Sequence, residues 1–377
     1  MSSTCYYPWV GLDISQQGEY KPCCKYGNVV AKSLEDYLVS EELASLKKSF
    51  LAGERPQGCG RCWRDEDAGI LSKRQLDNRT TFNNIEPDLS KFKVLSLPFG
   101  NTCNLACRTC KSHSSSKWLQ EEKKLIKYFP DLKLYPHNQY YKDNNFIDKI
   151  KKISDDLVLL EVPGGEPFIT GIEEHLEFLN YLTKHNARNL IIRYMTNVTM
   201  LPDERFWDIW KHFKKVDIQL SIDGVDKVFE YTRWPASWNE VYANIKFYQQ
   251  KEREFNNIYI SVGHTISIFN IYYLDRFLLW CESEGLPAPY LGLVSKPERY
   301  NITVLSPKTK AYLSDFLSHP GVKPIKNFMN SQDNSHLLGK LYDYVTVIDK
   351  QRDQTFADYL TEFGSVLKET CNILGKL

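Results

Sequence analysis

Three cysteines within eight residues constrain this chain more than any other feature. Cys103, Cys107 and Cys110 are spaced C-x3-C-x2-C and follow directly on the apolar run Val94–Leu97. That run reads as a strand, and Pro98, Gly100 and Asn101 read as the loop leaving it. A short loop of this kind wraps three thiolates around one corner of an iron–sulfur cube. A four-iron cube held by three protein ligands keeps one iron free for another molecule. The alternatives are a zinc knuckle short of one ligand, or three unrelated buried thiols.

The remaining cysteines sharpen the picture. The chain has ten, and eight of them lie in the first 110 residues. No secretion signal is evident in Met-Ser-Ser-Thr-Cys, so the clustering points to metal rather than to a disulfide framework. Cys281 and Cys371 stand apart and read as ordinary thiols. Forty-eight basic against forty-seven acidic side chains leave a net charge of +1. No bulk field therefore recruits nucleic acid or an anionic membrane. No apolar run approaches membrane-spanning length, and the expectation is a cytoplasmic protein.

Residues 1–88 read as a first unit. A hairpin turns at Gln16–Glu19 and returns to Pro22-Cys23-Cys24. Ser33 caps a helix running to about Gly53, and Cys59-x2-Cys62 closes the unit. Two cysteines on a hairpin plus a C-x2-C pair make a four-thiolate site, for structural zinc or for an iron–sulfur cluster. From about Phe92 strands and helices alternate. Strands are predicted at Val94–Leu97, Leu157–Val162, Leu190–Met195, Val216–Ile222, Ile258–Thr265 and Tyr290–Val294. Helices are predicted between them, among them Ile172–His185, Asp203–Phe213, Asn239–Arg253 and Leu274–Glu284. This pattern argues for a parallel sheet, either doubly wound or barrel-like. In both, reactive groups collect at the carboxyl ends of strands. Those ends carry the three cysteines, Gly164-Gly165-Glu166-Pro167, Asn197, Ser221–Gly224, His264 and Val294. His264 reads as a satisfied interior histidine. Beyond Val294 prolines punctuate short helices, with Phe356–Leu367 as a final helix. The long insertion between the first two strands includes Tyr135–Asn145, a candidate substrate-side lid.

The cysteine loop resembles that of the radical S-adenosylmethionine (SAM) enzymes, and Gly164–Pro167 is similar to their methionine-binding GGEP motif. The resemblance implies an α/β fold: a partial (βα)6 barrel of TIM-like type over 89–298, followed by a helical extension over 299–377. It implies a [4Fe-4S] cluster on Cys103, Cys107 and Cys110, whose open iron chelates SAM and cleaves it reductively to a 5′-deoxyadenosyl radical. Gly164, Gly165, Glu166 and Pro167 would hold the methionine, Asn197, Ser221 and Asp223 the ribose or amino acid portion, and Val294 the adenine. The spacing Cys5-x12-Gly18-x4-Cys23 with Cys59-x2-Cys62 resembles the twitch relative of the SPASM domain, here preceding the barrel. That implies a second [4Fe-4S] cluster on Cys5, Cys23, Cys59 and Cys62, with zinc as the alternative occupant and Cys24 as a spare thiol one residue from Cys23. The family usually places an aromatic residue before the third cysteine, where this chain has Thr109. Relatives with auxiliary clusters mostly act on peptides and protein side chains, drawing electrons from a flavodoxin or ferredoxin. The expected substrate is a peptide or protein. Alternatives are a nucleotide, nucleoside or other small molecule, and, outside enzymes, a zinc-stabilised binding module.

Overall fold

The computed structural model describes residues 4–82, 91–143 and 145–370. Cys371, Asn144 of the candidate lid and the expected boundary at residues 88 and 89 lie outside the described residues. An eight-stranded sheet runs in the order β2-β1-β3-β4-β5-β6-β7-β8. The strands are β1 (Gly11–Ile14), β2 (Tyr20–Lys21), β3 (Val94–Ser96), β4 (Leu159–Val162), β5 (Ile191–Thr196), β6 (Lys215–Ser221), β7 (Ile258–Ile266) and β8 (Tyr290–Leu293). Every neighbouring pair is parallel except the hairpin β1–β2. The six strands expected from the sequence are β3 to β8, and helices alternate with them as expected. β2 and β8 form the two edges, so the barrel is partial.

Three details depart from the sequence reading. The N-terminal hairpin is not a separate sheet: Gly11, Leu12 and Asp13 of β1 pair in parallel with Val94, Leu95 and Ser96 of β3. The helix expected from Ser33 to Gly53 is two helices, Leu34–Leu38 and Glu41–Leu51. Ser40 starts the second by accepting from the Leu43 N–H, which takes the backbone between them out of helical geometry. The final helix is likewise split into Phe356–Tyr359 and Thr361–Thr370, and a helix at Leu338–Arg352 precedes both.

The sheet is amphipathic in an unusual way. Leu95, Leu160, Ile192, Ile218 and Leu220 are buried in one continuous core. Another set of positions carries charge. In register, Asp13 faces Ser96, Ser96 faces Glu161, Glu161 faces Arg193 and Arg193 faces Asp217. Arg193 bonds Asp217 at 3.0 Å and Glu161 at 3.4 Å, and Ser261 of β7 donates to Asp217 at 2.7 Å. Lys73, from the helix Lys73–Thr80 of the N-terminal unit, reaches this row and pairs with Glu161 at 2.7 Å and with Asp77 at 3.1 Å. All-parallel strands usually read as unbroken apolar runs because helices cover both faces. Here one row is polar and internally paired.

Candidate active site

The loop after β3 is fastened on every side. Leu97 N–H donates to the Glu161 carbonyl at 2.8 Å and continues the ladder. The Asn101 side chain, fully buried, bonds the Ser112 and Pro136 carbonyls and the Asn138 N–H. Ala106 and Arg108 N–H groups donate to the Trp234 and Thr232 carbonyls, both at 2.8 Å. Ser115 caps the helix Ser116–Leu125 through the Trp118 N–H and donates to the Leu105 carbonyl at 2.6 Å. The indole of Trp118 donates to the Cys107 carbonyl at 2.7 Å. Ala106 is buried in the core, while Cys103, Cys107 and Cys110 line a cavity of about 1640 Å³.

Arg108, inside this loop and 1% exposed, ties it to the C-terminal part of the chain. Its guanidinium pairs with Asp349 at 2.5 Å, bonds Gln354 at 3.0 Å and the Tyr231 carbonyl at 2.8 Å, and lies 3.4 Å from the Tyr231 ring centroid. Arg352, on the same helix as Asp349, bonds the Ala106 carbonyl and Glu121, both at 2.7 Å. The sequence reading missed this clamp. Leu338, Leu341, Tyr344, Val345 and Ile348 carry a helical period that marks the element, but nothing local marks its partner more than two hundred residues away.

The thiols have outer partners of their own. Leu105 N–H and Asn197 Nδ2 approach Cys103 Sγ at 3.5 and 3.8 Å. Burial pushes Cys103 up to about 12 and raises Cys107 and Cys110 as well, with neighbouring thiols adding to the rise at Cys103 and Cys110. Arg233 and Arg352 act in the opposite direction on Cys107. Such thiols keep their protons until a metal displaces them.

Gly164 and Gly165 line the cavity beside the loop. A Cβ on Gly165 would sit 2.0 Å from the Thr102 carbonyl oxygen, and Glu166 N–H donates to that oxygen at 2.8 Å. The glycine is thus demanded by the close approach of two backbones. Glu166 is held within the protein. Its carboxylate is 1% exposed, turns away from the cavity and accepts from Thr196 Oγ1 at 2.8 Å and Asn197 N–H at 2.7 Å. Burial pushes it up to about 7. Its carboxylate is thereby tied to the end of β5. Pro167 and Ser221 also lie off the cavity wall, whereas Asn197, Asp223 and Val294 lie on it. Asp223 accepts from the Thr265 N–H at 2.7 Å and pairs with Arg233 at 2.9 Å. His264 bonds the Ile222 carbonyl, stacks on Phe277 and is lowered to about 4 by burial, so it is a neutral interior histidine. Of the candidate lid, Tyr135 reaches the cavity. Tyr140 instead donates to the Pro98 carbonyl and Tyr141 bonds Thr170, which packs that stretch against the loop.

In the N-terminal unit Cys5, Cys23, Cys59 and Cys62 come together. Burial raises Cys5, and Cys59 and Cys62 raise it further; Cys23 is raised by burial and then by Cys24, Cys5 and Cys62. Cys24 turns the other way. It opens into the large cavity, among Lys73, Glu161 and Asp13. Tyr26, Gly58 and Gly60 line the same cavity, as do Lys340 and Tyr344 of the C-terminal part, so all three parts of the chain wall it. Among the described residues, no three Cys, His, Asp or Glu side chains converge on the position of a single ion.

No family model matches the chain. Over 181 residues it is 26% identical to a cysteine-type anaerobic sulfatase-maturating enzyme of Clostridium novyi (strain NT), covering 45% of this chain and 43% of that protein. The chain thus spans less than half the length of the curated relative it matches. Two solved structures are similar at lower levels. One is native anSMEcpe with bound AdoMet and Cp18Cys peptide, at 15% identity and a TM-score of 0.43 over 70% of this chain and 62% of that one. The other is Streptococcus suis SuiB, at 15% identity and a TM-score of 0.40 over 84% and 60%. Among the described residues no helix is long and apolar enough to cross a membrane.

Proposed function

We propose that this chain is a radical SAM enzyme that modifies a peptide or a protein side chain. One observation carries the reading: three thiols from one pinned loop, and the Gly164–Gly165 backbone beside them, open on a single cavity of about 1640 Å³. Small-molecule sites occupy roughly 300–1,000 Å³, so a cofactor of SAM's size leaves room for a segment of substrate. The likeness to a maturase of a protein substrate supports the same reading.

Cys103, Cys107 and Cys110 would hold a [4Fe-4S] cluster, and three partly buried thiols free of disulfides fit one. With SAM bound, that cluster supplies a deoxyadenosyl radical that takes hydrogen from substrate. Asn197 Nδ2 and Leu105 N–H direct donors at Cys103 Sγ, the kind of outer contact that sets cluster potential. Asn197, Asp223, Val294 and the glycine backbones form the wall against which SAM would lie. Asp223 is held by Arg233 and the Thr265 N–H, so its carboxylate is fixed in advance. Cys5, Cys23, Cys59 and Cys62 would hold a second [4Fe-4S] cluster, with zinc as the alternative. Residues 1–88, 89–298 and 299–377 are taken as the auxiliary, barrel and extension parts of a cytoplasmic enzyme fed by flavodoxin or ferredoxin.

The test is iron, sulfide and zinc per chain after anaerobic reconstitution, with the Cys103→Ala/Cys107→Ala/Cys110→Ala variant alongside. About eight irons falling to about four, with loss of 5′-deoxyadenosine formation, is the expected result. SAM cleavage surviving in the variant would overturn the reading. Four irons falling to none beside one retained zinc would assign the N-terminal thiols to zinc.

A further inference from the structure

Resting on the reading of the chain as a peptide-acting enzyme, we propose that its substrate is an acidic peptide whose carboxylates are held by Lys111, Lys296 and Arg299. The chain as a whole is almost neutral, at +1. The cavity is not: nine Lys and Arg side chains line it against five Asp and Glu. One of the nine and one of the five cancel, since Arg233 and Asp223 pair at 2.9 Å. Burial pushes Asp13 up to about 7, which weakens one more of the acids. A cleft with one dominant sign and low-dielectric walls focuses its field on an entering ligand.

Lys111, Lys296 and Arg299 share one patch. All three line the one cavity, Lys111 from the end of the cysteine loop and Lys296 and Arg299 from the stretch after β8. Among the described residues, none of the three forms an ion pair. The carboxylate that faces them, Glu122, accepts from the Ser112 N–H at 3.2 Å. Arg299 lies 3.7 Å from the Tyr344 ring centroid, which holds its plane, and its Nε is buried without an acceptor. Cations on one wall without an ion pair, a fixed guanidinium and a buried unmet donor together suit a bidentate anion. Arg61 and Arg64 line the same cavity from the N-terminal unit. The positive charge is therefore spread along the cavity, as suits an extended segment bearing several carboxylates, rather than gathered for one polyphosphate.

The experiment uses reconstituted full-length protein with SAM and three probes: a short labelled peptide of alternating Glu and Gly, its Gln counterpart, and ATP. The Glu peptide should bind about tenfold tighter than the Gln peptide at low salt. That gap should close at high salt and in the Lys111→Gln/Lys296→Gln/Arg299→Gln variant, with iron content and melting temperature checked in parallel. Equal binding of the two peptides by the unmodified protein would overturn the proposal without recourse to any variant. So would ATP outcompeting the Glu peptide, which would assign the patch to phosphate. SAM cleavage measured on the same unmodified protein separates the two questions: its absence would sink the enzyme reading whatever the peptides do.

Discussion

Removing Asp349 should loosen the cysteine loop from 241 residues along the chain. Asp349→Ala leaves the Arg108 guanidinium, 1% exposed, without a counter-charge. Breaking a buried pair by deleting one partner costs about 3–5 kcal/mol. Gln354 at 3.0 Å, the Tyr231 carbonyl at 2.8 Å and the Tyr231 ring remain to solvate the cation. Those contacts place the expected loss near the lower end, about 3 kcal/mol, a large share of a typical total of about 5–15 kcal/mol. Large domains lose about 2–4 °C per kcal/mol, so melting should fall by about 6–12 °C. The loss should also be local. Arg108 lies between Cys107 and Cys110, so iron on the loop should drop while iron or zinc on the N-terminal thiols persists. Pairing Asp349→Leu with Arg108→Met removes both charges and should recover much of the loss, because an apolar pair of similar volume is often neutral or better. The assay is a melting curve and a metal count on each single variant and the double. Asp349→Ala melting with the unmodified protein and retaining all its iron would refute the clamp.

Other outcomes follow from single contacts. Cys23→Ser should strip metal from the N-terminal unit while Cys24→Ser leaves it, because only Cys23 sits with Cys5 and Cys62; equal loss in both would mean the thiols exchange roles. Lys73→Met should cost about 3 kcal/mol by leaving Glu161 with Arg193 as its remaining cation, read as a drop in denaturant midpoint, and an unchanged midpoint would show the row to be self-sufficient. His175 and His264, lowered by burial to about 3 and about 4, stay neutral in the fold while the unfolded chain takes up protons below about pH 6.5. Their contribution is therefore fully present above that pH and is lost as pH falls, by about 2 kcal/mol each at about pH 5. His175→Gln should flatten that fall, and a fall of undiminished slope would place its cause elsewhere.

What could be read in the sequence was local and periodic. The cysteine spacings, the strands that precede them and the alternation of helix and strand all announce themselves within a few residues. The direction of a side chain at a strand end does not. Glu166 sits in a motif that implies cofactor contact, yet Thr196 and the Asn197 N–H, thirty residues on, turn its carboxylate inward. Cys23 and Cys24 are adjacent letters with opposite surroundings, and only the turn before them decides which joins Cys5. Nothing near Arg108 in the sequence marks its role, because its partner lies on a helix far along the chain. Lys111 and Arg299 likewise acquire meaning only when the cavity brings them together.

The charged row across the sheet has a consequence for assembly. A parallel strand slipped by one residue turns every side chain to the opposite face. In β4, β5 and β6 such a slip would drive Glu161, Arg193 and Asp217 into the apolar layer beneath the helices and bring Leu160, Ile192 and Val216 into the polar interior. The row thus works as a key cut across five strands, with the tooth on each strand accepted only by the correct neighbour. Lys73 checks it from outside the ladder, so the N-terminal unit seats fully only on a barrel whose strands have found their alignment. Apolar replacements throughout the row would keep much of the stability and surrender that check.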